Sequence, residues 1–214
     1  MPFSTIGMAL DSIFFIIILI FSVILHELSH GYVADMLGDP TARLAGRLTI
    51  NPVPHIDIFG SIILPAVLIL TGSGVVIGWA KPVPYNPYNL KNQKWGTLAV
   101  SAAGILTNFL IALIFSLIIR FVPDLSLSFL IIAKMIITLN IILGVFNLLP
   151  IPPLDGSKIA LALFPRWFYP IQEFAERNFM FVILGLLILL PVFIGPIVIA
   201  ITSLIFTLFT GMGF

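Results

Sequence analysis

An all-α, polytopic membrane bundle is the fold class this chain predicts, with one re-entrant segment and a short interfacial β hairpin set between its crossings. Three observations carry that expectation. Hydrophobic residues fill 60% of the 214 positions and charged ones 9%, at a mean hydropathy of +1.19, outside the range of soluble domains. Several apolar runs approach or exceed the ~20 residues a helix needs to cross a bilayer. Lysines and arginines gather in three loops, as they do on the cytoplasmic side of membrane proteins. A net charge of +1 and the absence of cysteine leave no basic surface for nucleic acid and no disulfide, thiolate ligand or cysteine nucleophile. No linker, repeat or low-complexity tract divides the sequence, so a single membrane domain over residues 1–214 is expected. The N-terminus lacks the charged start of a signal peptide, so residues 12 onward are expected to stay in the mature protein.

The first helix is expected over residues 11–36, and residues 12–25 carry no charge. Rising 1.5 Å per residue, that stretch covers ~21 Å of a ~30 Å hydrocarbon core. Gly38-Asp39-Pro40 ends the helix. Residues 41–58 mix Arg43 and Arg47 with the β-prone Leu48-Thr49-Ile50 and the turn Asn51-Pro52, the pattern of an interfacial hairpin or extended strand. Residues 59–77 are apolar but broken by Pro65 and by Gly72-Ser73-Gly74, and lead into a proline-rich loop. Helices are expected over 95–122 and 128–149. The last apolar run, 179–209, is interrupted by Pro191, Gly195 and Pro196 and reads as one kinked helix or two short ones.

Arg43 and Arg47, then Lys81, Lys91 and Lys94, then Lys158, Arg166 and Arg177 define the three positive loops, which should share the cytoplasmic side. A full crossing by residues 59–77 would place the middle loop outside. That run is too short to cross twice, so it is expected to dip into the membrane and return. Irregular backbone at such depth survives only where protein covers it or it lines a wet cavity. Trp79, Trp95 and Trp167 fit the interfacial aromatic belt.

Inside the first apolar helix stands His26-Glu27-Leu28-Ser29-His30. Residues i and i+4 share a helix face, so both imidazoles can reach one ion with Glu27 beside it. Zinc held by two neutral imidazoles and a carboxylate keeps a position open for water, lowers the pKa of that water toward ~7 and lets a nearby glutamate take its proton, which is chemistry for hydrolysing an amide bond. Five residues match by chance in large sequence sets, and two polar side chains can also plug helix contacts. The chain has only three histidines and three glutamates, however, and ionisable groups at bilayer depth demand a partner such as a metal. A second constellation, Asn147-Leu148-Leu149-Pro150-Ile151-Pro152-Pro153-Leu154-Asp155-Gly156, closes the 128–149 helix. Its prolines stop the helix and free Asp155 to turn back as the third ligand. The competing reading of Asp155 is an ordinary turn aspartate before glycine, and its rivals as ligand are Asp39, Asp57 and His55. His55 reads equally as a gating residue or as a satisfied loop histidine.

Together the two motifs resemble the site-2 protease family of intramembrane zinc metalloproteases. Supporting stretches are Gly46-Arg47-Leu48-Thr49-Ile50-Asn51-Pro52 with His55 and Asp57, Gly78-Trp79-Ala80-Lys81-Pro82-Val83-Pro84, and Gly104 with Asn108. The resemblance covers residues 25–158. It implies one zinc per chain on His26, His30 and Asp155, Glu27 as general base, Asn147 near the scissile bond, and a cytoplasm-facing three-helix catalytic core. Ile105 stands where the family usually has proline, and no PDZ or nucleotide-sensing domain is recognisable, so a minimal member is expected.

The implied substrate is a membrane protein whose transmembrane helix unwinds and adds as a strand to an exposed edge, with Leu48, Thr49 and Ile50 or the Lys81-Pro82 loop as candidates. Asn147 would then help hold the oxyanion, whereas Asn108 and Asn140 are read as ties between helices. Lys134 either snorkels or pairs with Asp124. Two other classes remain: a membrane transporter, which also carries broken helices and buried polar groups, and a noncatalytic metal-binding scaffold. No inverted repeat is apparent, and neither class requires a glutamate beside the first histidine. Substrate identity and oligomeric state are not written in the sequence.

Overall fold

A computed structural model of the chain describes residues 2–72 and 78–214. Four helical stretches are long and apolar enough to cross a membrane. They are Ser12–Met36 within α1 (Pro2–Met36), α4 (Gln93–Phe121), α5 (Leu127–Leu148), and Val192–Thr210, which includes α9 (Gly195–Thr210). Their outward faces are apolar, as Ile13, Ile16 and Phe21 on α1 and Leu106 and Leu110 on α4 illustrate. In water such surfaces would be aggregation sites; in lipid they are solvated. The chain is built as a multi-pass membrane protein.

Short elements connect these helices: α2 (Thr41–Leu44), a 3₁₀ turn at Val53–His55, a π turn at Ile58–Ile63 running into α3 (Leu64–Leu70), α6 (Asp155–Leu163), α7 (Pro165–Arg177) and α8 (Phe179–Leu189). Polar side chains set several starts. Asn92 accepts the Trp95 N–H at 3.1 Å, Ser126 accepts that of Phe129 at 3.3 Å, and Asp57 accepts that of Gly60 at 2.7 Å, each satisfying an orphan donor of a first turn. From Phe179 to Thr210 the chain is helical without a break, with a π turn over Leu190–Ile194. A wider turn accommodates a proline, which has no backbone N–H to donate, at position 191, so the last apolar run is one helix with a π turn in it.

Helix α4 is the centre of the bundle, because α1, α5, α6 and α9 all pack on it. Its buried positions include Gly96, Ser101, Ala103, Gly104, Ala112 and Ser116, small residues that let neighbouring backbones come close. The apolar core joins Ala112 of α4 to Ile137, Ile141 and Val145 of α5 and to Val198 and Phe206 of α9. One end of the bundle holds the C-terminus of α1 and the N-terminus of α4, and the Lys91 N–H donates to the Leu37 carbonyl at 3.1 Å. The other end holds the C-termini of α4 and α9, where Arg120 donates to the Leu208 carbonyl at 3.4 Å. Residues 38–91 therefore leave and return at the same end.

Two sequence expectations require correction. The β hairpin over 41–58 is not formed, and no strand is found among the described residues. Its backbone groups bond elsewhere: the Arg47 N–H goes to the Ala42 carbonyl at 3.0 Å, and the Thr49 carbonyl accepts His55 Nε2–H at 2.9 Å. Over its described part, the re-entrant segment 59–77 is a single helical limb, Ile58–Leu70, too short at 1.5 Å per residue to span the bilayer. A re-entrant course is not supported by that limb, and residues 73–77 lie outside those described. The Trp79 N–H nevertheless donates to the Gly60 carbonyl at 3.2 Å, so the chain is back beside the start of the limb by residue 79. At the other end, no ion pair joins Lys134 to Asp124 among the described residues.

Asp39, fully buried just beyond α1, fastens the returning loop. Its carboxylate accepts the Asn86 N–H at 2.5 Å, Asn89 Nδ2–H at 2.8 Å, the Thr41 N–H at 3.2 Å and the Thr41 hydroxyl. Burial acts to raise its pKa, but the donors from Thr41, Asn89 and Asn86 outweigh it and hold the carboxyl below its ordinary range. A depressed folded-state pKa stabilises the protein above the unfolded-state pKa of ~3.9, and that contribution is lost as pH falls through the folded value. Asp39→Asn, which turns an amide N–H toward these donors, should cost about 2 kcal/mol at pH 7. Thermal unfolding in detergent should show a lower Tm than wild type at pH 7, with the gap closing as the buffer is brought below pH ~4.

Candidate metal centre

The site is built where α1, α4 and the N-terminus of α6 meet. His26 and His30, one turn apart on α1, point their Nε2 atoms at each other across 3.1 Å, and each lies 3.0 Å from Asp155 Oδ2. Asp155 reaches them because the Pro150–Pro153 stretch, with a cis Pro152–Pro153 peptide, ends α5 and restarts the chain as α6 with Asp155 as its first residue. Gly156 permits the restart: a Cβ there would lie 2.2 Å from the Leu148 carbonyl oxygen and 2.4 Å from that of Leu149. All three candidate ligands are buried.

The outer nitrogens of the imidazoles decide what the inner ones can do. His26 Nδ1 lies 2.5 Å from Asn108 Oδ1, and His30 Nδ1 lies 2.6 Å from the Val100 carbonyl. Both partners only accept, so each Nδ1 carries the proton and each neutral imidazole turns a bare lone pair inward, a tautomer inferred from the partners. Asn108 is itself held, donating to Asn140 Oδ1 at 2.9 Å, while Asn140 donates to Ser22 Oγ at 3.0 Å, one turn before His26. Two lone pairs and a carboxylate oxygen then face one another at hydrogen-bond distance with no proton to share. A cation relieves that repulsion, and a two-nitrogen, one-oxygen donor set suits zinc with one position left open. Lys158 Nζ, 3.1 Å from Asp155 Oδ1, compensates the buried carboxylate and favours its ionised form.

Beside this cluster is a cavity of about 40 Å³ lined by Glu27, His30, Ser101, Asp155, Lys158 and residues of the 82–85 loop. It has room for water and not for a peptide. Glu27 Oε2 accepts the Val83 N–H at 2.8 Å, so the loop covers the glutamate. The loop is clamped two residues before Val83 from both sides: the Lys81 N–H donates to the His55 carbonyl at 2.8 Å, and Arg47 Nη2 donates to the Lys81 carbonyl at 2.8 Å.

Of the residues singled out from sequence, the structure brings His26, Glu27, His30 and Asp155 together. Asn147 is not among them, since its amide donates to the Leu143 carbonyl at 3.0 Å. The alternative ligands are all engaged elsewhere, Asp39 in the loop fastening, Asp57 as a helix cap and His55 on Thr49. Leu48 packs its side chain toward Gly31 of α1, and residues 48–50 belong to no helix or strand. Pro82 lines the cavity, whereas both backbone polar groups of Lys81 are already used. Sequence reasoning missed the Val100 carbonyl, the Val83 N–H, Lys158 and Ser101, and it read Asn108 only as an interhelical tie. Lys158 was findable, being one turn beyond Asp155. The backbone groups were not, because no side chain marks them.

Gly104 makes the approach of α4 possible. A Cβ there would stand 2.5 Å from His26 Cε1, 2.6 Å from His26 Nε2 and 2.6 Å from His30 Cε1. Neither ring can yield without breaking its Nδ1 bond. Gly104→Ala should therefore leave the helical circular-dichroism signal intact while lowering zinc affinity by about 10- to 100-fold, read by competition with a chelator in detergent.

The model of peptidase family M50 matches residues 14–134 and 123–190 of the chain. Over 196 residues the chain is 35% identical to a Bacillus subtilis protein named "Putative zinc metalloprotease YwhC", covering 86% of this chain and 81% of that one. It is 27% identical over 150 residues to "Zinc metalloprotease MJ0392" of Methanocaldococcus jannaschii, covering 70% of this chain but only 34% of that longer protein. No solved structure matches the chain. The stretches that match include both the His26–His30 turn and the Asp155 turn, and the chain belongs to peptidase family M50, the site-2 protease family of membrane metalloproteases.

Proposed function

We propose that the chain, as one membrane domain, is a zinc endopeptidase that cuts peptide bonds within or near the transmembrane segments of other membrane proteins. His26, His30 and Asp155 hold one zinc, and Glu27 is the general base. The observation that carries the reading is the convergence of three proton-free acceptor atoms at 3.0–3.1 Å beside a cavity that Glu27 also lines. Zinc supplies Lewis acidity toward water and toward a peptide carbonyl. Glu27 takes a proton from the attacking water and later delivers it to the departing amine. The relatives' names, both zinc metalloproteases, support the choice of metal.

The Val83 contact implies an opening step. An entering substrate must draw the loop off Glu27, and the non-helical stretch Leu48, Thr49, Ile50 is where an unwound helix can add as a strand. Lys81 and Pro82 would flank that strand. Asn147 reaches the scissile bond only after releasing the Leu143 carbonyl. The positive loops lie at the end of the bundle that holds the site, which supports a cytoplasm-facing site in the cell membrane.

Wild type and Glu27→Gln purified in detergent should each hold about one zinc per chain, and cleavage of a transmembrane-peptide panel should fall by about 10³-fold or more in the variant. Zinc without cleavage by wild type across a broad panel would favour a metal-binding scaffold, and no zinc in either protein would sink the metal assignment.

A further inference from the structure

Among the groups lining the cavity, Ser101 is set apart by having nothing to do. It is 1% exposed, and its hydroxyl has no hydrogen-bond partner within the protein, although buried polar atoms are almost always paired. The other polar walls are committed. Glu27 and Asp155 can only accept, His30 has its Nδ1 proton on Val100, and Lys158 is held by Asp155. Tyr85 belongs to the loop that must move for a peptide to enter, whereas Ser101 is carried by α4. Its neighbours there are Val100, which anchors His30, and Gly104, which touches both ligand rings. A hydroxyl so placed finds its partner in whatever fills the cavity.

We propose that the Ser101 hydroxyl is a catalytic hydrogen-bond donor to the oxyanion formed when a peptide carbonyl is attacked in this cavity; this rests on the zinc-peptidase reading above. Glu27 removes one proton from the water as its oxygen bonds to the carbonyl carbon, and the carbonyl π pair moves onto the carbonyl oxygen. Ser101 donates a hydrogen bond to that oxygen and keeps its proton. When the pair returns, the C–N bond breaks and Glu27 passes its proton to the leaving nitrogen. A donor idle in the ground state and engaged as charge develops favours the transition state selectively.

The test uses full-length, zinc-loaded protein with a transmembrane peptide that wild type cleaves and a phosphonamidate peptide presenting a tetrahedral oxyanion. Ser101→Ala should keep its zinc content, Tm and KM, lose about 100-fold in kcat, and bind the phosphonamidate about 100-fold more weakly. Ser101→Thr, which keeps the hydroxyl, should recover most of both losses. Wild-type kcat and phosphonamidate affinity in the alanine variant would overturn the proposal while leaving the peptidase reading intact, as would a zinc-loaded threonine variant as slow as alanine. A wild-type protein without zinc or cleavage would overturn the peptidase reading, and the role of Ser101 with it.

Discussion

Everything at this centre depends on where two protons sit. An imidazole offers a lone pair inward only when its other nitrogen is obliged to keep the proton, and here the obligation is imposed by Asn108 Oδ1 at 2.5 Å and the Val100 carbonyl at 2.6 Å. In a low-dielectric interior such bonds are stronger than in water, and an unpaired donor is correspondingly costly. The chain extends the constraint outward through Asn140 to Ser22, which lies on the same helix as His26. The first turn of that network belongs to chemistry and the last to packing, and no boundary separates them.

Covering is the second constraint. A hydrolase in a bilayer must admit water to a place that lipid must not enter, and the cavity beside Glu27 is large enough for water alone. Val83 closes it by donating to the glutamate, so the bond that shields Glu27 also occupies it. Residue 81 is pinned by His55 and Arg47, whereas residues 82 and 84 are prolines without an N–H. Movement at Val83 can then be confined to a short arm, and the Arg47, His55 and Lys81 contacts need not be rebuilt each time it opens.

Much of this was legible from residue types and spacing. Apolar runs locate crossing helices because lipid forces every backbone group to bond internally, and the i, i+4 histidines show their shared face without coordinates. Asp155 could be proposed because prolines must end α5, but which carboxylate comes home is a tertiary question, and Asp39 and Asp57 were equally acidic candidates. The hairpin failed for a local reason: the β-prone Leu48-Thr49-Ile50 stretch has no partner strand, since nearby backbone groups are satisfied by Ala42 and by the side chain of His55. Asn147 was less legible, because its place in the Asn147–Gly156 motif says nothing about its rotamer, which folds back onto Leu143.

The central helix, which carries none of the three candidate ligands, proves the most consequential. Helix α1 supplies two candidate ligands by itself, but Asp155 lies 129 residues beyond His26, and closing so long a separation is entropically unfavourable unless packing supplies the compensation. Helix α4 supplies it without contributing a ligand. Val100, Ser101, Gly104 and Asn108 fall on one face of its helical repeat, where they anchor one imidazole, border the cavity, admit both rings and anchor the other imidazole. The same helix packs against α6, which carries Asp155. A candidate metal centre assembled this way is specified less by its three donor residues than by the template they are pressed against, so a change on that face of α4 can disable the site while every donor remains in the chain.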